Sequence, residues 1–233
     1  MTFVPNGLLI TGTDTEVGKT VVTSALTAYW LQHQPQMSLG LMKPIQSGPG
    51  DAERYLKLFD LDQTFETTVP QRFAAPLAPP LAAAQEGQVV DLAPVWQALT
   101  QLLAERQFVL IEALGGLGSP VTAEWTVADL AAAWQLPIVL VVPVKLGTIA
   151  QAVANIALAR QQKLSVRGII LNCLTPVTPE QQANWAPIAL IEHLTQVPIL
   201  GHMPYLADPD NLENLAAAAA NLVLEALWQP SMA

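Results

Sequence analysis

Apolar positions along this chain gather in short unbroken runs, separated by longer stretches where apolar and polar residues recur with a helical period. The runs are Gly7–Thr11, Ser38–Pro44, Phe108–Ala113, Pro137–Pro143, Gly168–Leu174 and Pro198–Pro204. They are nearly all apolar rather than alternating, which suits strands covered on both faces of a parallel sheet. The periodic stretches Lys19–His33, Leu92–Arg106, Val127–Trp134, Thr148–Lys163, Glu180–Thr195 and Asn211–Trp228 predict helices. Strand–helix alternation of this kind implies right-handed crossovers and an α/β fold, a doubly wound and mainly parallel sheet with helices on both faces.

One segment breaks the rhythm. Phe73–Pro94 is rich in Pro and Ala, yet both of its flanks belong to the same alternating pattern, so it reads as an ordered excursion. The alanine run 216–220 is low in complexity but strongly helix-forming. The whole chain, residues 1–233, is therefore expected to form one domain.

Charge and composition narrow the function. Apolar residues make up 52% and charged residues only 12% of the sequence, about half the usual charged share. So few charges leave a surface that is hard to keep wet, and part of it is expected to be buried between copies of the chain. A net charge of −9 offers no basic field for a nucleic-acid backbone. The N-terminus has no basic start or signal-type apolar core, and the greasy stretch Leu136–Val144 is too short to span a bilayer. These features describe a soluble, cytoplasmic protein that binds neither nucleic acid nor membrane. Cys173 is alone, which excludes an intrachain disulfide, and its apolar run reads as core.

In a doubly wound sheet, ligands collect beyond the carboxyl ends of the strands. Five segments fall there: Gly12–Thr20, Lys43–Asp51, Glu112–Gly116, Lys145–Thr148 and Asn172. The first, GTDTEVGKT, follows a strand and opens a helix, the context of a phosphate loop, although the usual spacing would put glycine at Thr13. Backbone N–H groups at the helix start would hold phosphate, Lys19 would reach the outer phosphates, and the Thr20 hydroxyl would ligate Mg²⁺. This makes the expected fold one of the P-loop NTPase type.

In the second segment Lys43 leaves the end of a strand and either projects over the site or is a solvated lysine before a Pro/Gly-rich loop; Ser47 adds a hydroxyl and Asp51 a carboxylate in position for Mg²⁺. Glu112 closes an apolar strand, a natural place for a metal-side acid, and Gly115 and Gly116 let backbone approach a phosphate. The turn Val144–Thr148 either receives a carboxylate on its N–H groups or is an ordinary strand–helix turn. Asn172 either meets a base edge or ties down a turn. His33, His193 and His202 stand apart and show no metal spacing.

Taken in order, GTDTEVGKT, KPIQSG, FAAPLAPPLAAAQEG, LIEALGG, LPIVLVVPVKLGTI, LNCLTP and MPYL resemble the dethiobiotin synthetase family over most of the chain. That resemblance implies an ATP-dependent cyclo-ligase that joins 7,8-diaminononanoate and CO₂ into the ureido ring of dethiobiotin. The route would run through a carbamate and a carbamic–phosphoric anhydride, giving ADP and phosphate. Thr15, Lys19, Lys43 and Ser47 would surround the carbamate, with Lys43 and Lys19 as the catalytic cations. Glu16, Val17, Gly18, Lys19, Thr20 and Gly115 would cradle ATP, and Asn172, Cys173 and Pro204 would lie along its adenine. Thr20, Asp51 and Glu112 would hold Mg²⁺. Family members are homodimers in which the partner's Gly147–Thr148 turn receives the substrate carboxylate, and the loop's hydroxyl side then faces a second substrate.

Two departures stand out. The family's Glu-Gly-Ala-Gly-Gly reads Glu112-Ala-Leu-Gly-Gly116 here, and a Cβ at Ala113 disfavours positive φ, so either the approach to phosphate or the placement of Glu112 is open to difference. The asparagine often seen in the carboxylate-binding turn falls at Ala150. The alternative reading is an ATPase switch of the ParA/MinD kind. Such proteins carry a second lysine where this loop has Asp14, and a basic terminal helix or face where Asn211–Trp228 has no Lys or Arg. A cobalamin-precursor amidating ligase would need a glutamine-hydrolysing domain for which 233 residues leave no room.

Overall fold

The computed structural model describes residues 6–228. In chain order these form β1 (Gly7–Gly12), α1 (Lys19–His33), β2 (Leu39–Met42), β3 (Ile45–Ser47), α2 (Asp51–Leu58), α3 (Phe65–Thr68), β4 (Gln71–Phe73), α4 (Pro79–Gln85), α5 (Leu92–Glu105) and β5 (Phe108–Glu112). There follow α6 (Val127–Trp134), β6 (Ile138–Pro143), α7 (Thr148–Gln161), β7 (Val166–Asn172), α8 (Pro179–Trp185), α9 (Ile188–Thr195), β8 (Ile199–Met203), α10 (Leu212–Ala219) and α11 (Glu225–Trp228).

Six strands make one parallel sheet in the order β2-β5-β1-β6-β7-β8. Successive side chains of a strand point to opposite faces, and both faces here are covered. Leu8, Ile10, Leu110, Val139 and Val141 meet α1, α10 and α11 on one side. Leu9, Val109, Ile111 and Ile138 meet α5 and α6 on the other, where Leu140 and Val142 meet α7 and α9. This two-sided burial is why the strands read as continuous apolar runs. The strand order turns about β1, which lies between β5 and β6, so the loops beyond β1, β2 and β5 open into one crevice.

The differences from the sequence pattern have local causes. The strand expected over Ser38–Pro44 leaves the main sheet after Met42, and Ile45–Ser47 pairs instead with Gln71–Phe73 in a separate two-stranded parallel sheet. Pro44 has no N–H to donate at the crossing point, and Lys43 N donates to Thr68 O at 2.7 Å. The helix expected over Glu180–Thr195 breaks at Ala186, because Pro187 disfavours helical geometry in the residue before it. The last expected helix breaks after Ala219, where the chain turns back and Val223 N donates to Leu200 O at 2.7 Å. The Pro/Ala-rich excursion is ordered and contributes β4 and α4. Among the described residues no helix is long and apolar enough to cross a membrane.

Candidate active site

The loop after β1 is fixed by contacts that only glycine permits at three points. Gly18 caps α1 at φ 86°, and a Cβ there would lie 2.0 Å from Asn172 Nδ2. A Cβ on Gly12 would meet Val17 Cγ2 at 2.5 Å, and one on Gly116 would meet the Thr13 backbone at 2.7 Å. Glu16 takes the left-handed conformation (φ 54°) that a curled loop needs. Lys19 folds back so that its Nζ donates to Asp14 O at 2.8 Å. The first turn of α1 carries no acidic residue, leaving the positive end of its dipole free for an anion.

Beyond this loop four functional side chains converge. Lys43 Nζ lies 2.5 Å from Asp51 Oδ2 and 2.6 Å from Glu112 Oε1. Thr20 Oγ1 donates toward Asp51 Oδ1 (3.1 Å) and Glu112 Oε1 (3.0 Å). Each comes from a different element: α1 brings Thr20, the end of β2 brings Lys43, the start of α2 brings Asp51, and the end of β5 brings Glu112. Lys43 and Glu112 are buried, which makes their mutual field strong. Burial alone would push the Lys43 pKa down, but Glu112 and Asp51 outweigh it and raise it. Burial would raise Asp51, and Lys43 with Thr20 outweighs that and lowers it. Burial raises Glu112 despite the pull of Lys43. Burial also lowers Lys19 to about 8, opposed by the nearby Glu112.

The donor set suits Mg²⁺. It offers hard oxygens from two carboxylates and a hydroxyl, already held around a cation. Among the described residues no group of three or more His, Cys, Asp or Glu side chains could hold a metal. The remaining coordination must come from phosphate and water, as is usual for a magnesium bound with a nucleotide.

Thr15, Glu16, Gly18, Lys19, Thr20, Lys43, Ser47, Asp51, Glu112 and Gly115 all line one cavity of about 830 Å³. Its far wall is apolar, formed by Ile45, Leu114 and the Pro76–Pro79 segment leading into α4. Ser47 Oγ is buried with no hydrogen-bond partner among the described residues. Three of the predicted residues sit beside the cavity rather than in it. Asn172 Nδ2 donates to Val17 O at 2.9 Å and ties the loop down; Cys173 is buried, and Pro204 is exposed after β8. The Val17 side chain is buried and does not line the cavity.

Neither Gly147 nor Thr148 lines the cavity of its own chain. The Thr148 hydroxyl is engaged with Pro143 O (2.7 Å) and Lys145 O (2.6 Å), and its N–H donates to Lys145 O at 3.1 Å, so of the pair only Gly147 is exposed. Thr13 turns away as well, donating to Gln151 Oε1 at 3.2 Å, and leaves Thr15 as the loop threonine facing the cavity. The Ala113 substitution carries no strain. Its N–H donates to Ile10 O at 2.9 Å, its side chain enters the core, and the positive φ falls later, at Gly115 (φ 50°).

Two residues escaped the sequence reading. Tyr55, buried on α2, donates its hydroxyl to Glu112 Oε2. Gln46, buried on β3, accepts from Ala52 N (2.9 Å) and donates to Gly48 O (3.1 Å) and Glu53 Oε2 (3.0 Å), bracing the turn that delivers Asp51. The one signal for Tyr55 was its position four residues after Asp51, on the same helical face.

Comparison with known proteins agrees with this arrangement. The family described as "AAA domain" matches residues 6–213. The ParA family ATPase from Chlorobium tepidum superposes with a TM-score of 0.57 at 14% identity, over 97% of this chain and 100% of that one, a likeness of fold alone. The ATP-dependent dethiobiotin synthetase of Gloeothece citriformis is 58% identical over 94% of this chain and 97% of its own length. That of Crocosphaera subtropica is 53% identical over 95% and 99%. With the phosphate loop, the paired acids and the full-length likeness together, the chain belongs to the ATP-dependent dethiobiotin synthetase family.

Proposed function

We propose that this protein carries out ATP-dependent dethiobiotin synthesis, closing a ureido ring on 7,8-diaminononanoate with CO₂. The observation that carries the reading is the shape and lining of the cavity. The phosphate loop and the buried Lys43 line the same cavity of about 830 Å³ as the apolar Ile45, Pro76–Pro79 and Leu114, which suits an aliphatic co-substrate beside the nucleotide.

One amine of the diamine adds to CO₂ and loses a proton, giving a carbamate. Thr15, Ser47, Lys19 and Lys43 are placed to hold its oxygens, and the unpartnered Ser47 Oγ gains an acceptor there. A carbamate oxygen then attacks the γ-phosphorus of ATP, forming a P–O bond as the bond to ADP breaks. Lys19 and Lys43 stabilise the charge spread over the transferring group, and the left-handed turn at Gly18 directs backbone N–H groups at the phosphates. The second amine attacks the carbonyl carbon of the mixed anhydride and loses a proton, phosphate departs, and the ring closes. Both amines belong to one molecule, so this last step is intramolecular, and the cavity has only to hold the chain in the ring-closing conformation. Thr20, Asp51 and Glu112 would hold Mg²⁺, which would supply charge neutralisation on the phosphates. Asn172, Cys173 and Pro204 border the adenine, and in a homodimer the partner's Gly147 turn meets the substrate carboxylate. The reaction runs in the cytoplasm.

The test replaces Lys43 by Gln, which keeps hydrogen bonds to the two acids but removes the charge. The variant is expected to bind ATP and lose about 10²–10³ in kcat, the range for one preorganised charge-stabilising donor. Turnover is followed as phosphate released only when diamine and bicarbonate are present, with the product identified by mass. Near-normal turnover would remove Lys43 from the mechanism, and phosphate release indifferent to the diamine would remove the ring closure.

A further inference from the structure

We propose that Tyr55 is a positioning residue whose hydroxyl holds Oε2 of Glu112 in the core and so leaves Oε1 as the oxygen presented to the nucleotide's metal. The inference rests on the role proposed above for Glu112. Its Oε1 already meets Thr20 Oγ1 (3.0 Å) and Lys43 Nζ (2.6 Å), while Oε2 receives the Tyr55 hydroxyl. Without that donor the carboxylate could rotate about its terminal torsion, which is broad and weakly restrained. Glu112 is fully buried at the end of β5, so its orientation is set by the protein groups that touch it. Tyr55 is itself about 1% exposed, and a buried phenol needs a partner for its O–H.

The placement goes beyond satisfying a buried hydroxyl. Asp51 and Tyr55 stand four residues apart on α2, one face of a single helix. That helix therefore contributes one acid directly and sets the angle of the other through Tyr55. A shift of α2 moves Asp51 and Tyr55 together, relative to Thr20 on α1 and Glu112 on β5. Partners that orient a metal-binding carboxylate typically alter metal affinity by about 10- to 100-fold when removed.

The experiment is a double-mutant cycle read by Mn²⁺ binding, with electron paramagnetic resonance, in the presence of ADP. Tyr55→Phe keeps the ring and removes only the hydroxyl, and is expected to weaken Mn²⁺ binding about 10-fold while leaving the diamine KM unchanged. Glu112→Gln is expected to weaken it as well, and the double variant should bind Mn²⁺ no worse than Glu112→Gln alone. The double variant carries no buried carboxylate at position 112, so it reports even if Tyr55→Phe alone does not fold. A folded Tyr55→Phe protein with unchanged Mn²⁺ affinity would overturn the inference, as would an additive loss in the double variant. If Glu112→Gln itself left Mn²⁺ binding intact, the metal-ligand role of Glu112 would be the reading to fail.

Discussion

Gly18 illustrates how far a single position constrains this site. Its φ of 86° disfavours any L side chain, and a Cβ would drive into Asn172, whose amide holds Val17 O at 2.9 Å. Gly87, in the turn after α4, has a comparable φ of 66° but open space around it. Alanine at both positions separates backbone strain from collision. Gly87→Ala is expected to cost about 1–2 kcal/mol of stability and leave nucleotide binding intact. Gly18→Ala carries the same strain, and also forces the Asn172 amide off the loop, so ATP affinity should fall by about 10-fold or more. Urea melts and titration with a fluorescent nucleotide measure both effects. If Gly18→Ala bound ATP as well as Gly87→Ala does, the loop would not depend on this packing. Thr13 and Gly116 follow the same logic. The Thr13 side chain is accommodated by turning to Gln151 Oε1 at 3.2 Å, while the close approach of the next loop to the Thr13 backbone requires glycine at 116.

At the scale of elements, the entry to α2 is held by one side chain. Gln46 bonds Ala52 N, Gly48 O and Glu53 Oε2, and Glu53 Oε2 in turn accepts from Gly50 N at 3.2 Å. Gln46→Ala removes the side-chain partners of the buried Ala52 N and Gly48 O, a loss of about 1–3 kcal/mol, and frees the turn that places Asp51. The Mg²⁺ concentration needed for half-maximal activity should rise several-fold, with kcat recovering at saturation. Lower stability with an unchanged Mg²⁺ requirement would make Gln46 a brace for the fold alone. Such elements were hard to read in the sequence, and the reason is physical. The bounds of α1 and α6 were legible because each has a marked start: Gly18 caps the first, and Thr126 with Asp129 forms a capping box at the second. Strands β3 and β4 are three residues each and exist through pairing with one another across distant chain, which no local pattern announces. Lys43, Asp51 and Glu112 were legible because each stands where a strand or loop ends. Tyr55 and Gln46 were not, since their importance lies in partners that only the fold supplies. The split between α8 and α9 was marked by Pro187, but apolar positions keep their phase across it and hid the break.

At the scale of the whole molecule, the turn proposed to meet the substrate carboxylate stands apart from the cavity of its own chain. Gly147 is exposed and lies outside the cavity of its own chain, and beside it Leu146 is 79% exposed. A turn that serves a substrate carboxylate must then reach the cavity of another copy, and in a two-fold dimer each turn would serve the opposite site. Two inactive variants distinguish this from a turn with no role. Lys43→Gln disables the cavity of its own chain but keeps its turn, whereas Gly147→Asp keeps the cavity and places a repelling carboxylate on the turn. A Cβ at Gly147 meets nothing within 4 Å, so the fold tolerates the substitution apart from the strain of φ 96°. When the two are mixed and allowed to exchange subunits at equal amounts, half of the dimers are hybrids, and each hybrid has one site free of both defects. Activity should recover to about a quarter of wild type, with a normal diamine KM in the recovered fraction. Sedimentation of the mixture confirms that dimers are present when the rate is measured. If dimers exchange and no activity returns, the turn acts within its own chain. If Gly147→Asp is fully active from the start, the turn does not touch the substrate, and the carboxylate must be met by groups that line the cavity itself.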